Sequence, residues 1–358
     1  MPEPTDSTPT QDTPTHPTDD PTPTRRPAAE RVCVMATTPW LTVTVEAPTT
    51  HVVTVDGDEQ PAPPEVHVHP GGQGLWVARM AESLGADAVV CGPFGGEAGI
   101  ALRALAEAEG MELRAVPYGG GNGVYVHDRR DGERDVVAER PAAPLDRHEL
   151  DDLYGTVLVE GLEADVTVLT GADPAHVLPP EVLTRLVRDL RAAGRTLVAD
   201  LSGDAARAYA EAGGGVLKIS HEEMAEGGFA DGEDVPALVR GARGLLDAAE
   251  DDGLDAVVVS RAGEGVLVVT RERVHEVRAP QTTVADHRGA GDSMTAGIAV
   301  GLARGLDLVA AVRLGASAGA LNVTRRGLGT GHRDHIERFV DRVEVRDLGT
   351  DGSASDDA

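Results

Sequence analysis

Residues 289–305 read GAGDSMTAGIAVGLARG and join a glycine loop to a helix. Met294, Ile298 and Leu302 recur every four residues, which places them on one helical face. The first N–H groups of a helix have no partner within it, so a glycine loop at this point favours a bound anion. Asp292 begins the helix, where it either caps the chain end or faces a ligand.

Before this loop, from residue 165 onward, short apolar runs alternate with helical segments. Strands are predicted at Val166–Leu169, Thr196–Asp200, Val216–Ile219 and Ala256–Ser260, with helices at 180–193, 203–212 and 236–250. A strand hairpin at 265–270 and 273–278 and helices at 292–304 and 308–323 complete this part. The alternation predicts an α/β fold with a doubly wound, mostly parallel sheet flanked by helices.

The first part of the chain is richer in strands than the rest. Short β-branched runs lie between residues 41 and 69, and a hairpin is predicted within 123–139. Helices are predicted at 73–84 and 97–109. This pattern indicates a small β sheet attached to the main domain as a lid.

The two ends of the chain differ in composition from its middle. Residues 1–29 are rich in Pro, Thr and Asp, and residues 346–358 are acidic and poor in apolar side chains. Such segments bury too little surface to offset chain entropy, so both are expected to be disordered tails. The folded domain is therefore predicted to span residues 30–345.

The charge balance limits the possible partners. Among 358 residues, 32 basic side chains face 60 acidic ones, for a net charge of −28. This balance argues against nucleic acid and against an anionic membrane surface, although an anionic substrate could bind in a local positive pocket. No apolar run is long enough to span a membrane and no signal core is present, so a cytoplasmic protein is expected.

Three other features of the sequence do not indicate a functional site. Cys33 and Cys91 lie in apolar strands and are expected to be buried free thiols. His67 and His69 share one face of a strand, but no Cys or Asp completes a metal site. The early Gly-x-Gly-x-x-Gly of a dinucleotide-dependent oxidoreductase is missing, which disfavours that class.

The glycine loop resembles the signature of the ribokinase-like (PfkB) carbohydrate kinases, and the match covers nearly the whole folded chain. The segments that carry it are 71–85, 95–99, 200–203, 218–223 and 263–265. The nearest branch is that of the kinases for fructose 1-phosphate or tagatose 6-phosphate. The resemblance implies a ribokinase-like fold with a β lid and a possible homodimer through that lid.

The resemblance also implies a role for each matching residue. Asp292 takes the proton from a substrate hydroxyl that attacks the γ-phosphate of ATP, and the N–H groups of Gly289, Ala290 and Gly291 stabilise the transferred phosphoryl group. Glu223 is an outer-shell contributor to Mg²⁺. The implied nucleotide-binding residues are Lys218, Ser220, Glu223, Ser260, Gly263, Gly265 and Asn322. Lys218 is the only lysine in the chain and the candidate phosphate contact.

The substrate side departs from the family. Thr42 stands at the family's sugar-binding aspartate, and Gln73 and Trp76 replace a lysine and an asparagine. The family's Thr-Arg phosphate contact has no match in residues 119–123, and Arg288 is a further candidate for a substrate phosphate. The residues expected to bind substrate are Thr42, Gly71, Gly72, Gln73, Trp76 and Arg288.

Two functions are compatible with these departures. One is an ATP-dependent kinase for a sugar or sugar phosphate. The other is a catalytically weak or inactive binding or regulatory protein of the same fold. Retention of residues 289–292 favours the kinase, because a binding module has no need of a base at that position.

Overall fold

The computed structural model describes residues 29–50, 52–55, 58–172, 174–249, 253–283, 287–324, 329, 331–350 and 352. Apart from Ala29, the predicted N-terminal tail lies outside these residues. In the part of the chain that is described, no helix is both long and apolar enough to cross a membrane.

The secondary structure follows the predicted alternation. The strands are β1 (Arg31–Met35), β2 (Trp40–Glu46), β3 (Val52–Val55), β4 (Asp58–Pro61), β5 (Glu65–Gly71), β6 (Asp87–Phe94), β7 (Glu112–Pro117), β8 (Gly123–Asp128), β9 (Asp135–Arg140), β10 (Val166–Thr170), β11 (Thr196–Asp200), β12 (Gly215–Ser220), β13 (Leu254–Ser260), β14 (Val266–Val269), β15 (Val274–Arg278) and β16 (Glu344–Asp347). The helices are α1 (Gln73–Ser83), α2 (Gly96–Ala108), α3 (Arg147–Glu163), α4 (Pro180–Ala192), α5 (Gly203–Glu211), α6 (His221–Glu226), α7 (Val235–Ala248), α8 (Ala290–Ala303), α9 (Leu308–Asn322) and α10 (Arg333–Val340).

The main sheet has ten described strands in the order β16-β15-β14-β13-β12-β11-β10-β1-β6-β7. The pairs from β7 to β13 are parallel, and β14, β15 and β16 add antiparallel to that edge. Strands β10, β12 and β13 are largely apolar and buried on both faces, as expected for parallel strands covered by helices. The predicted α/β fold class is confirmed.

Helices cover both faces of this sheet. Helices α3, α4, α5 and α7 bury apolar side chains such as Leu153 and Leu186 on one face. Helices α1, α2, α8, α9 and α10 bury Leu75, Ile298 and others on the opposite face. Cys33 and Cys91 are buried and free, with their sulfurs 3.9 Å apart. In doubly wound sheets of this kind, ligands bind at the edge formed by the carboxyl ends of the strands.

A second, four-stranded sheet is built in the order β5-β2-β8-β9. Strand β2 pairs antiparallel to β5 and parallel to β8, so Thr42, His69 and Tyr125 stand side by side on one face. This is the small sheet predicted within 41–69 and 123–139, and its strands extend to Gly71 and Arg140.

Several elements are absent from the sequence-based assignment: β4, β7, α3, α6, α10 and β16. Strand β16 shows that the prediction of disorder from residue 346 onward is wrong at its start. Its Arg346 and Asp347 pair with β15, and Leu348 is buried behind them. A four-residue polar strand at a sheet edge has no local pattern that distinguishes it from a loop.

Helices α8 and α9 approach closely because both carry glycine at the crossing. A Cβ on Gly297 would lie 2.6 Å from the Cα of Gly315, closer than backbone and side chain can pack. Gly297→Ala is therefore expected to lower the free energy of unfolding by about 1–3 kcal/mol in urea denaturation. As a control, Gly244→Ala in α7 meets open space and should instead raise it by about 0.5–1 kcal/mol. Equal effects at the two sites would contradict the close crossing.

Candidate active site

The glycine loop ends at Gly289, whose φ of 71° lies in the left-handed region that glycine adopts easily. Helix α8 begins at the next residue, and Asp292 lies in its first turn. The helix packs against β1, β10 and β11, and its Thr295 reaches Asp200 at the carboxyl end of β11. The predicted loop is thus placed at the edge where open α/β sheets bind ligands.

A buried ionic cluster lies under this loop. Asp200 and Lys218 are register partners on adjacent strands, and the Lys218 Nζ lies 2.9 Å from the Asp200 Oδ1. The other Asp200 oxygen accepts a hydrogen bond of 2.8 Å from the Thr295 hydroxyl. A Cβ on Gly291 would lie 2.9 Å from the Lys218 Nζ, so only glycine lets the ammonium approach the start of α8. The cluster joins two strands to the helix that carries Asp292.

The charges of this cluster control the protonation of Asp292, which is only 7% exposed. Burial, together with the negative charge of Asp200, raises the pKa of Asp292 to about 8, and Lys218 opposes that rise. Burial lowers the pKa of Lys218, but the carboxylates of Asp200, Glu223 and Asp292 more than compensate, so its pKa is raised. Lys218 therefore stays charged, while Asp292 exchanges its proton near neutral pH.

Ser220 and Glu223 form a reciprocal cap at the start of α6. The Ser220 N–H donates to the Glu223 Oε2 at 2.8 Å, and the Glu223 N–H donates to the Ser220 hydroxyl at 3.2 Å. Glu223 also lines the cavity described below. The part of the chain that the structure describes has no group of three His, Cys, Asp or Glu placed to hold a metal ion. A magnesium ion held mainly by nucleotide phosphates and water would fit such a site, with Glu223 as the nearby carboxylate.

The remaining residues expected on the nucleotide side lie around the same edge. Ser260 ends β13, and Gly263 and Gly265 lie in and just after the turn at 262–264. Asn322 is buried, and its amide donates to the Arg288 carbonyl at 2.8 Å and accepts from the Gly329 N–H at 3.1 Å. The side-chain amide of Asn322 thus links the residue before the loop to Gly329 in the segment after α9, and its contact with a nucleotide stays a prediction.

A cavity of about 1010 Å³ separates the small sheet from the main sheet. Its floor includes Asp200, Ser202 and Glu223. The side chains that form its roof come from the small sheet: Trp40, Thr42, Thr44, His67, His69, Tyr125 and His127. The small sheet therefore covers the carboxyl ends of the main-sheet strands as a lid.

Five of the six residues expected to bind substrate line this cavity: Thr42, Gly72, Gln73, Trp76 and Arg288. Gly71 lies behind Thr42, where a Cβ would come within 2.7 Å of the threonine hydroxyl. The Gln73 side-chain oxygen accepts a hydrogen bond of 3.1 Å from the Gly171 N–H, which fixes the start of α1 against the main sheet. These substrate roles stay predictions, although the structure places the residues together.

Some residues of the site give no clear signal in the sequence. The segment around Asp200 is one of those that carry the resemblance to the kinase family. No local sequence pattern, however, indicates that its carboxylate is buried against Lys218. Thr295 reads as an ordinary helix residue. Tyr125, His127 and Arg134 lie in a hairpin with common composition, and only the alternation of strand side chains could have put Tyr125 and His127 on one face.

The model of the pfkB family of carbohydrate kinases matches residues 41–334. ATP-dependent 6-phosphofructokinase isozyme 2 of Mycobacterium tuberculosis is 31% identical over 288 residues, which are 79% of this chain and 82% of that protein. The 1-phosphofructokinase of Bacillus subtilis is 26% identical over 280 residues, 78% of this chain and 89% of that one.

The fold is also similar to that of a solved phosphofructokinase structure. A mutant of phosphofructokinase-2 from Escherichia coli superposes with a TM-score of 0.73 at 25% identity, covering 87% of this chain and 98% of that chain. The resemblance to carbohydrate kinases is therefore confirmed, with relatives named for both kinds of phosphofructokinase. The chain belongs to the pfkB family of carbohydrate kinases.

Proposed function

We propose that the protein transfers the γ-phosphate of ATP to a hydroxyl of a sugar or sugar phosphate, with Asp292 as the general base. The observation that carries this proposal is the position of Asp292. It is buried in the first turn of α8, beside a glycine loop and a charged lysine, and its pKa is raised to about 8. A carboxylate whose pKa lies near the working pH is suited to accept and release a proton.

The loop and Lys218 account for the donor side of the reaction. The N–H groups of Gly289, Ala290 and Gly291 at the helix start suit the oxygens of a transferred phosphoryl group. Lys218 supplies a compact positive charge next to Gly291. Magnesium bound with ATP supplies charge neutralisation between the phosphates. The N–H groups and Lys218 would thus stabilise the negative charge of the phosphoryl group while it is transferred.

Asp292 accounts for the acceptor side. As the acceptor oxygen forms its bond to the γ-phosphorus, its O–H bond breaks and the proton passes to the Asp292 carboxylate. The bond between the γ-phosphorus and the bridging oxygen of ATP breaks, and ADP leaves with that electron pair. An acceptor held between Asp292 and the lid would lie over the part of the cavity lined by Asp200 and Glu223.

The acceptor can be found by an ATP-consumption screen. Fructose 1-phosphate, fructose 6-phosphate and tagatose 6-phosphate are compared with the free sugars and with nucleosides. Turnover with a sugar or sugar phosphate is expected. Failure of every acceptor, together with tight binding of one of them, would overturn the kinase assignment in favour of a binding or regulatory protein.

We also infer that two copies of the chain pair through their lids. The lid face opposite the cavity carries valines in register, among them Val43, Val66, Val68 and Val126. Val66 and Val68 are 61% and 44% exposed in the single chain. A sheet face of this composition is suited to burial against a second copy, which would remove the apolar surface from water.

Pairing through the lids predicts that one charged side chain on the valine face of the lid prevents dimer formation. Val68→Glu is expected to convert the dimer to a monomer, because a second lid would bury the carboxylate. Light scattering after size exclusion measures the mass. The matched control is Val159→Glu on α3, a valine 59% exposed on another surface, which should leave the dimer intact. Loss of pairing in both variants, or a monomeric parent protein, would contradict the proposal.

A further inference from the structure

The turn that joins β13 to β14, residues 261–265, contains an unusual backbone conformation. Within the residues that the structure describes, Ala262 is the one residue other than glycine with a positive φ, at 45°. A side chain makes this left-handed region unfavourable, so a residue stays there only when its surroundings hold it. Such residues cluster at ligand-binding sites. The contacts that hold the turn in shape therefore bear on what the turn does.

A buried arginine holds the turn together. The Arg261 backbone N–H donates to the Gly265 carbonyl at 2.9 Å, and the Arg261 Nη2 donates to the Glu264 carbonyl at 3.0 Å. The same Nη2 donates to the Glu276 Oε1 on β15 at 2.6 Å. Arg261 and Glu276 are each only 4% exposed. The ion pair therefore ties the turn to a strand that lies two places along the sheet from β13.

Strand β15 also supports the end of the turn. A Cβ on Gly265 would lie 2.8 Å from both the Arg278 Cγ and the Val277 carbonyl oxygen, so the turn packs directly on this strand. Arg278 also donates to Glu276 at 2.9 Å. Burial works to raise the pKa of Glu276, but hydrogen bonds from the two arginines outweigh it and hold that pKa below its usual range. Glu276 therefore stays ionised at neutral pH and anchors the turn.

The place of the turn at the sheet edge determines which part of a substrate would reach it. Lys218 on β12 lies against Gly291 of the glycine loop, and β13, which leads into the turn, is the next strand. The cavity extends the other way, beneath the lid, where Asp200 at the end of β11 and Gly171 after β10 line it. Adjacent strands lie about 4.8 Å apart, so β13 is about 10 Å from β11. An ATP molecule with its γ-phosphate at the loop and the acceptor in the cavity would extend its nucleoside toward the turn.

We propose that Arg261 and Glu276 are positioning residues for the nucleotide. They hold the turn 261–265, with Ala262 in its left-handed conformation, in the shape that receives the nucleoside of ATP. Ala262 and Gly263 are small and exposed, so their backbone is open to a ligand, whereas the ion pair that fixes them is buried. The inference rests on the proposed function and adds two residues to it that act through the turn.

Arg261→Gln tests the proposal through the affinity for nucleotide. Without the ion pair the cost of a left-handed alanine is no longer offset, so the turn adopts other conformations for most of the time. The KM for ATP and the Kd of a non-hydrolysable ATP analogue should rise about 5- to 30-fold, in proportion to the lost fraction of the competent turn. The kcat and the KM for the acceptor found by the screen should stay within about 3-fold, because Asp292 and the cavity are unchanged.

Inorganic tripolyphosphate separates the positioning of the nucleoside from general damage to the site. It has the three phosphates of the ATP analogue but no nucleoside. Both are titrated by calorimetry with Mg²⁺ present, and only the analogue should bind more weakly to Arg261→Gln. Glu276→Gln should give the same pattern, since it removes the other half of the ion pair.

Glu160→Gln is the matched control for the loss of a buried carboxylate. Glu160 is 8% exposed and, like Glu276, pairs with two arginines, Arg31 and Arg114. Arg31 begins β1, so this cluster lies at the edge of the sheet opposite the turn. Glu160→Gln should lower the stability of the protein in urea but leave both titrations unchanged.

Substitutions of Ala262 test the backbone conformation without removing a charge. Glycine adopts a positive φ at no steric cost, so Ala262→Gly alone should bind the ATP analogue within about 3-fold of the parent. Added to Arg261→Gln, it should recover most of the lost affinity, because the turn no longer needs the ion pair to keep its shape. Ala262→Val strongly disfavours positive φ at an exposed position and should weaken binding of the analogue with the ion pair intact. It decides the matter even where Arg261→Gln does not fold.

The outcomes separate this inference from the proposed function. A parent protein whose binding of the ATP analogue depends on Arg261, but which phosphorylates no acceptor, would overturn the kinase assignment and support the positioning role. A kinase in which Arg261→Gln or Ala262→Val leaves the analogue titration unchanged, or weakens tripolyphosphate equally, would overturn the positioning role alone. Failure of Ala262→Gly to recover affinity would overturn it as well. A parent protein that binds neither the analogue nor tripolyphosphate would overturn both.

Discussion

Asp292→Asn is expected to abolish most of the activity while making the protein more stable. An amide cannot take the acceptor proton, so kcat should fall by about 10²- to 10⁴-fold, the usual contribution of a general base. KM for ATP should change little, because the backbone N–H groups of the loop remain. Asp204→Asn is the matched control, since Asp204 lies in the first turn of α5 and is exposed. Turnover that survives in Asp292→Asn would contradict its role as the base.

The gain in stability follows from the direction of the pKa shift. The unfolded carboxyl ionises near pH 4, at about its ordinary pKa of 3.9, whereas the folded one keeps its proton up to about pH 8. The folded state therefore binds the extra proton, and stability is lost as the pH rises from about 4 to about 8. Asp292→Asn removes this penalty and should raise the free energy of unfolding at mildly alkaline pH by at least about 1 kcal/mol.

Two pH series check the explanation. The stability difference between parent and Asp292→Asn should disappear in acid, where both states carry a neutral side chain. The kcat of the parent should rise with pH, reach half its maximum near pH 8 and level off above that, as Asp292 loses its proton. A rate that is flat across this range, or a stability gain that persists in acid, would show that the burial of Asp292 is not the cause.

Lys218→Met is expected to be the most destabilising single change in the site. It removes the cation that lies 2.9 Å from the buried carboxylate of Asp200, and the cost of an uncompensated buried charge is about 3–5 kcal/mol. Lys218→Arg is not expected to recover it, because the ammonium already lies against Gly291 with no room for a guanidinium. Chemical denaturation of both variants measures the loss in the free energy of unfolding.

A double variant distinguishes the contribution of the ion pair to stability from the contribution of side-chain packing. Asp200→Asn combined with Lys218→Met removes both charges and leaves an oxygen for the Thr295 hydroxyl. The double variant should be more stable than Lys218→Met alone, with a coupling of about 1–3 kcal/mol between the two positions. Additive losses would contradict the ion pair as the source of the effect. Activity should remain low in each case, since each lacks the lysine beside the loop.

The two halves of the site differ in how closely they follow the family. The loop at 289–292 and the lysine beside it keep the arrangement that the resemblance implies. The lid side has Thr42, Gln73 and Trp76 where the resemblance expects an acid, a lysine and an asparagine. The loop therefore indicates the class of reaction, whereas the proposed acceptor site consists of side chains that the lid brings to the cavity.

The sequence alone determined the α/β class and the glycine loop that leads to Asp292. Parallel strands covered on both sides must be continuously apolar, so runs such as Val166–Leu169 and Val216–Ile219 are visible without a structure. A glycine loop before a helix is equally local, because both its conformation and its anion site depend on neighbouring residues. The lid hairpin was visible for the same reason, through strand alternation on either side of a turn.

Only the tertiary structure decided which charges surround Asp292 and which side chains line the cavity. Asp200, Lys218 and Thr295 come from two strands and a helix and meet because of the strand order. Arg134 is placed by contacts with Tyr125 and His127 on the neighbouring strand. Such contacts join residues whose separation along the chain has no fixed relation to their separation in space. A local pattern therefore cannot specify them, and the pKa of Asp292 does not follow from sequence.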